Sequence, residues 1–300
     1  MKAKKSLGQN FLIDDRVVDS IIEAGEISQD DNVLEIGPGR GFLTKELIQK
    51  SGRVLAIEKD ESLAELCRKK LASGNLEVIT GDVLETNWEE ILSQRGFSGI
   101  TRLSKVRGKT EQRKGVYSGI NGMSSRGFDK EICQTRNSRY KLIANIPYYI
   151  TGKILRLFLE NSFQPQILVL MVQKEVAERI CQKPGKLGIL SLSVQYFGEP
   201  GIVEIVPREK FDPIPDVDSA VLKIVVKNEN RLDLEAEKKF FRLIKKGFAN
   251  PRKTLVNNLS AGLVLEKEAV EKVLEKIGFD GNARAQELGV EDWIKMIEYL

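Results

Sequence analysis

The chain has 300 residues, 41% of them hydrophobic and 30% charged, a balance that fits a globular protein with one large domain and room for a small one and excludes wholesale disorder or a collagen-like repeat. It has no histidine and three scattered cysteines (Cys67, Cys133, Cys181), so imidazole catalysis, His-ligated metals, thiolate zinc cages and a disulfide framework are excluded. Lys and Arg outnumber Asp and Glu by only 47 to 43, too small an excess to argue for a nucleic-acid partner by itself.

The first residues, MKAKKSLGQNF, lack the apolar core of a secretory signal, and no stretch approaches the roughly 20 apolar residues of a bilayer span. A cytoplasmic protein with no membrane contact and no metal is expected. From Asn32 to Val172, short apolar runs (NVLEI, RVLAI, LEVIT, KLIAN, ILVLMV) alternate with helical patterns such as GFLTKELIQKSG and TGKILRLFLENS. This predicts an α/β fold whose parallel sheet carries crossover helices on both faces. The runs GIVEIVP and DSAVLKIVV predict an antiparallel pair at one edge. Beyond about residue 230 only helical periodicity remains, broken by Asn-Pro, Gly and Gly-Asn, which predicts a small helical domain over 231–300 after a domain over 1–230.

The exception to this order is residues 93–139, which carry 11 basic against 3 acidic side chains, seven glycines and no sustained period. The segment reads as a loop inserted in the first domain. Its composition suits either a solvated insertion or an arm that touches phosphate.

Glu35-Ile36-Gly37-Pro38-Gly39-Arg40-Gly41 follows the first strand of the alternating series and opens a helix. Gly37 and Gly39 allow a tight turn and close approach of backbone to a ligand. Phe42 stands where a dinucleotide motif wants its third glycine, and no GK[ST] follows, which disfavours a nicotinamide dehydrogenase and phosphate cradling. Glu58 ends the next strand, at the position from which a carboxylate accepts ribose hydroxyls, and Asp82 follows the third, where it can accept from an adenine amino group. The fourth strand runs into Asn145-Ile146-Pro147-Tyr148, which gathers an amide, a carbonyl and an aromatic ring at the same sheet edge. That set suits an exocyclic amine on a flat base. Such an amine has its lone pair delocalised into the ring, and acceptors for its two hydrogens, the Asn145 side-chain oxygen and the Ile146 carbonyl, favour the tetrahedral nitrogen that attacks. Tyr148 could stack on the base, and Phe211, in Phe-Asp-Pro-Ile-Pro, could cover its other face.

At these residues the sequence resembles the ribosomal RNA adenine N6,N6-dimethyltransferases, in particular those of the small subunit. SLGQNFL (6–12), EIGPGRGFLT (35–44), IEKD (57–60), GDVL (81–84), NIPYYIT (145–151) and FDPIPDVDSAV (211–221) carry the resemblance, which spans nearly the whole chain apart from the insert. It implies a Rossmann-like class I methyltransferase sheet with an antiparallel edge and a helical C-terminal domain. It implies S-adenosylmethionine as cofactor, held by Asn10, Leu12, Gly37, Gly39, Glu58, Asp82 and Asn145. Asn145, Ile146 and Pro147 are implied at the reacting amine, with Tyr148 and Phe211 as the base sandwich. The implied activity is methylation of N6 of two adjacent adenosines in a hairpin loop near the 3′ end of small-subunit ribosomal RNA, during ribosome maturation. The expected partner is the small ribosomal subunit, engaged by a monomer whose Lys245, Lys246, Arg252 and Lys253 meet phosphate. The alternatives are a large-subunit adenine methyltransferase conferring macrolide resistance and an assembly factor acting mainly by binding.

Overall fold

The computed structural model describes residues 3–4, 7–98, 100–101, 139–161, 163–227 and 232–300. A seven-stranded sheet runs in the order β4 (Leu76–Thr80), β3 (Arg53–Glu58), β2 (Asn32–Ile36), β6 (Tyr140–Asn145), β8 (Ile167–Gln173), β11 (Ser219–Val226), β9 (Gly198–Val206). The first five strands are parallel, and β11 lies antiparallel between β8 and β9, which bears out the expected edge pair.

Alternation along the strands explains the sheet's two cores. Val33, Val54, Ile143, Val169 and Met171 point to one face, where α1 (Asp15–Ala24) and α2 (Phe42–Lys50) add Val17, Ile21, Leu43 and Leu47. Their neighbours Leu34, Leu55, Leu142, Leu168 and Leu170 point to the other, against Leu155 and Phe158 of α5 (Thr151–Leu159) and Leu192 of α7 (Ile189–Phe197). With both faces covered, the strands read as near-continuous apolar runs. Three more helices follow strands in this half: α3 (Glu61–Lys70), capped by the Asp60 side chain, α4 (Trp88–Gln94) and α6 (Lys174–Ile180).

The C-terminal part consists of α8 (Leu234–Gly247), α9 (Leu255–Leu263), α10 (Lys267–Lys276) and α11 (Val290–Ile297), at the places where the periodicity put helices. These helices share the second core: Tyr196 of α7 stacks near Phe240 of α8 at 4.6 Å between ring centres, and Phe197 near Phe241 at 5.8 Å.

Most of the basic insert, residue 99 and residues 102–138, lies outside the described residues. Its two ends depart from the loop reading. Ser93 and Gln94 complete α4, and Phe97 is buried against Tyr140, ring centres 6.3 Å apart. The short strand β5 (Ile100–Thr101) pairs with β7 (Phe163–Gln164), and Ser98 bridges Arg139. One buried phenylalanine among glycines and charges leaves no periodic trace, which is why the composition concealed these anchors.

Before the sheet begins, β1 (Phe11–Leu12) pairs antiparallel with β10 (Phe211–Asp212), Leu12 opposite Phe211. The Ile13 amide donates to the Lys210 carbonyl at 3.0 Å, and Lys210 forms an ion pair with Asp14. The N-terminal segment is thereby held across the carboxyl ends of the parallel strands, the edge at which open α/β sheets bind ligands.

Candidate active site

A cavity of about 390 Å³ opens at that edge, bounded by the turn after β2, the ends of β3, β4 and β6, and the N-terminal strap. Asn10, Leu12, Gly37, Gly39, Glu58, Asp82, Asn145, Ile146, Pro147 and Tyr148 all line it. Ten expected site residues, drawn from five segments, thus converge on one space.

The glycine turn forms its floor. Gly39 has φ +58°, and a Cβ there would sit 3.0 Å from the Phe11 ring, so both conformation and space require glycine. Glu58 is buried and accepts the Gly39 amide at 3.0 Å with Oε2 and the Asp60 amide at 2.9 Å with Oε1. Burial raises its pKa above the usual carboxylate value, and those two amides oppose the rise. Glu35, on the strand before the turn, is 1% exposed, and neither its Oε2 nor the adjacent buried Thr44 hydroxyl has a hydrogen-bond partner. Burial pushes the Glu35 carboxyl up to about 8. At the far wall Asp82 accepts Lys59 Nζ at 2.7 Å and the Leu84 amide at 2.9 Å, and Lys59 above all holds its carboxyl below the ordinary range.

At the end of β6, Asn145 Nδ2 donates to the Asn10 carbonyl at 3.3 Å, which commits the amide nitrogen and keeps Oδ1 as the group's acceptor. Asn10 itself, in the orientation that satisfies its amide, donates to the Pro213 carbonyl at 3.2 Å. The hydroxyls of Tyr148 and Ser219 are 2.7 Å apart, and Ser219 is fully buried.

Phe211 requires a correction. It is 2% exposed, packs in the core with Leu12 and Val206, and is absent from the cavity lining. Pairing of β10 with β1 turns its ring inward and Asp212 outward, so it presents no face to a base here. Lys245, Lys246, Arg252 and Lys253 stand apart from the cavity, around the turn between α8 and α9. Lys245, Arg252 and Lys253 are exposed, whereas the stem of Lys246 lies over Gly262.

Several groups about the cavity escaped the sequence reading. Asp60 Oδ2 pairs with Lys4 Nζ at 2.8 Å and accepts Gln9 Nε2 at 3.3 Å, tying the strap to the end of β3. Arg40 lays its guanidinium over Phe11, 4.3 Å from the ring centre, and pairs with Asp212 at 2.7 Å. These partners are remote in sequence and carry no local signal. Glu35 did carry one, being a lone acid within an apolar strand.

The cavity fits S-adenosylmethionine: a glycine cradle admits backbone close to the ligand, two carboxylates stand at successive strand ends, and the orphaned Glu35 oxygen lies below. Among the described residues no cluster of three or more His, Cys, Asp or Glu could hold a metal ion, and no helix is long and apolar enough to cross a membrane. Sheet order and cavity together define a class I S-adenosylmethionine-dependent methyltransferase. The profile of the ribosomal RNA adenine dimethylase family matches residues 1–300, and the chain belongs to that family. It is 38% identical over 301 residues to the ribosomal RNA small subunit methyltransferase A of Dehalococcoides mccartyi strain BAV1, covering 100% of this chain and 89% of the relative. The protein of that name from Pelotomaculum thermopropionicum is 36% identical over 299 residues, 98% of this chain and 90% of the relative. Among solved structures, the 23S rRNA methyltransferase ErmE superposes with a TM-score of 0.69 at 25% identity, covering 97% of this chain and 99% of that one. A dimethyladenosine transferase from Plasmodium falciparum gives 0.67 at 24% identity, covering 95% of each chain, and shares the fold.

Proposed function

We propose that this enzyme methylates N6 of two adjacent adenosines in a hairpin loop near the 3′ end of small-subunit ribosomal RNA, in the cytoplasm and as a monomer, during maturation of the subunit. The observation that carries this reading is the convergence of Asn145, Ile146 and Tyr148 on the cavity that Glu58 and Asp82 also line. The relatives named for the small subunit, at 36–38% identity over nearly the full chain, favour that subunit over the large one.

When bound, S-adenosylmethionine supplies a methyl group on a sulfonium, which needs no further activation. Glu58 is suited to accept the ribose hydroxyls, Asp82 the adenine amino group, and the Gly37 and Gly39 backbone to approach the ligand closely, with Asn10 and Leu12 over its methionine part. The target adenine, unstacked from the RNA, is stacked on Tyr148. Asn145 Oδ1 and the Ile146 carbonyl accept the two N6 hydrogens, drawing the nitrogen lone pair out of the ring and aiming it at the methyl carbon. Pro147 fixes the carbonyl's direction through its restricted backbone. The alkylated nitrogen then loses its proton to solvent, so no general base is called for. Lys245, Arg252 and Lys253, with the Lys246 ammonium, are suited to phosphate contacts that set the enzyme's orientation on the subunit.

The test incubates the protein and labelled S-adenosylmethionine with under-methylated small subunits and, separately, with large subunits, then maps the modified base. Label confined to adjacent adenosines of the small subunit is expected. Label confined to one large-subunit adenosine would overturn the proposal in favour of a resistance methyltransferase, and binding without transfer would leave an assembly factor.

A further inference from the structure

Two consecutive tyrosines follow Pro147, and they are treated oppositely by the fold. Tyr148 is held through its hydroxyl, while Tyr149 is 63% exposed. Among the described residues the other exposed aromatic ring is Tyr299, which lies under the Lys276 ammonium at 4.8 Å. Tyr149 is placed differently, because its ring lines the cavity mouth. An exposed ring at the entrance to a site offers a stacking face to whatever enters it. One edge of the ring is supported by the strap: a Cβ on Gly8, which has φ +60°, would lie 3.2 Å from Tyr149 Cε1. Four residues on, in the first turn of α5, the exposed Lys153 lines the same mouth. Its charge reaches the cavity, since it contributes to the lowered pKa of Asp82.

We infer that Tyr149 and Lys153 form a subsite for the nucleotide that neighbours the target adenosine, the ring stacking on its base and the ammonium meeting its phosphate. A base taken out of its stack leaves the adjacent base with one uncovered face, and an exposed ring one residue from Tyr148 is placed to cover it. Stacking is indifferent to base identity, so the subsite serves register rather than sequence reading. This inference rests on the RNA-methylating function proposed above.

The experiment compares the intact enzyme with Tyr149→Ala, Tyr149→Phe and Lys153→Gln on under-methylated small subunits, with cofactor affinity measured separately by calorimetry. Tyr149→Ala should raise the KM for subunits about tenfold, as expected for a lost stack, while cofactor affinity stays unchanged and Tyr149→Phe restores binding. Lys153→Gln should lower the slope of log affinity against log salt by about one. An unchanged KM for Tyr149→Ala, or loss of cofactor affinity in step with RNA affinity, would overturn the subsite; the second result would make the ring a support for the Gly8 strap. The intact enzyme, assayed in parallel on large subunits, tests the proposed function independently. Transfer to large subunits alone would overturn that reading, and the same variants then judge the subsite on that RNA.

Discussion

The Tyr148 and Ser219 hydroxyls lie 2.7 Å apart, so the ring after Pro147 is fixed by the first residue of β11, a strand that pairs with β8 and β9 and not with β6. The antiparallel edge of the sheet therefore sets the angle of a ring at its parallel centre. Ser219→Ala should leave the part-buried Tyr148 hydroxyl without this partner, at a cost of about 0.5–1.5 kcal/mol. Single-turnover methyl transfer should fall several-fold with cofactor affinity intact, and a normal transfer rate would show that the ring holds its place without the bond.

Glu58→Ala removes the acceptor of two backbone amides as well as the group assigned to the ribose. Cofactor binding should weaken by about 1–3 kcal/mol in calorimetry. Unchanged affinity would reject the assigned contact.

Asn145→Ala should slow methyl transfer by on the order of a hundredfold or more, because it removes a positioned acceptor whose bond strengthens as the nitrogen turns tetrahedral. A single-turnover rate near that of the intact enzyme would sink the amine-activation argument.

Glu35 gives the protein a pH dependence of its own. The carboxyl ionises near 4.5 in the unfolded chain and keeps its proton to about 8 in the fold. Between those values the folded state holds a proton that the unfolded state has lost, so the stabilisation is whole below about 4.5 and is lost as pH rises through about 8. Urea midpoints of the intact protein should decline over this range more steeply than those of Glu35→Gln. Parallel profiles would show that Glu35 is ionised throughout.

Phe211→Ala should act as a core truncation, costing about 3–5 kcal/mol of folding stability. Tyr148→Ala should cost less, about 1–3 kcal/mol for the buried Ser219 hydroxyl left without its partner, and should spare cofactor affinity while impairing RNA turnover. A stable Phe211→Ala with selective loss of RNA turnover would return the ring to the base pocket.

What the sequence disclosed and what it concealed follow from how far apart the interacting residues lie. Glu58 and Asp82 were legible because the chain itself carries each from an apolar strand into the turn where parallel sheets bind ligands. Cover on both faces of the sheet was legible too, from the near-continuous apolar runs of β2, β6 and β8. Phe211 was misjudged because its orientation depends on β10 pairing with β1, a register fixed by contacts at the other end of the chain. The Lys4–Asp60–Gln9 tie and the Arg40 stack on Phe11 are hidden for the same reason.

The pairing of Leu12 with Phe211 also has a bearing on synthesis. Strands β2, β3 and β4, with the glycine turn and both carboxylates, leave the ribosome early. The roof above them needs β10, and the anchor for Tyr148 needs β11, both made much later. A nascent chain that has already assembled the first half of its sheet therefore still has an open, unroofed pocket. The roof and the Tyr148 anchor are thus completed only when β10 and β11 join the strands made before them.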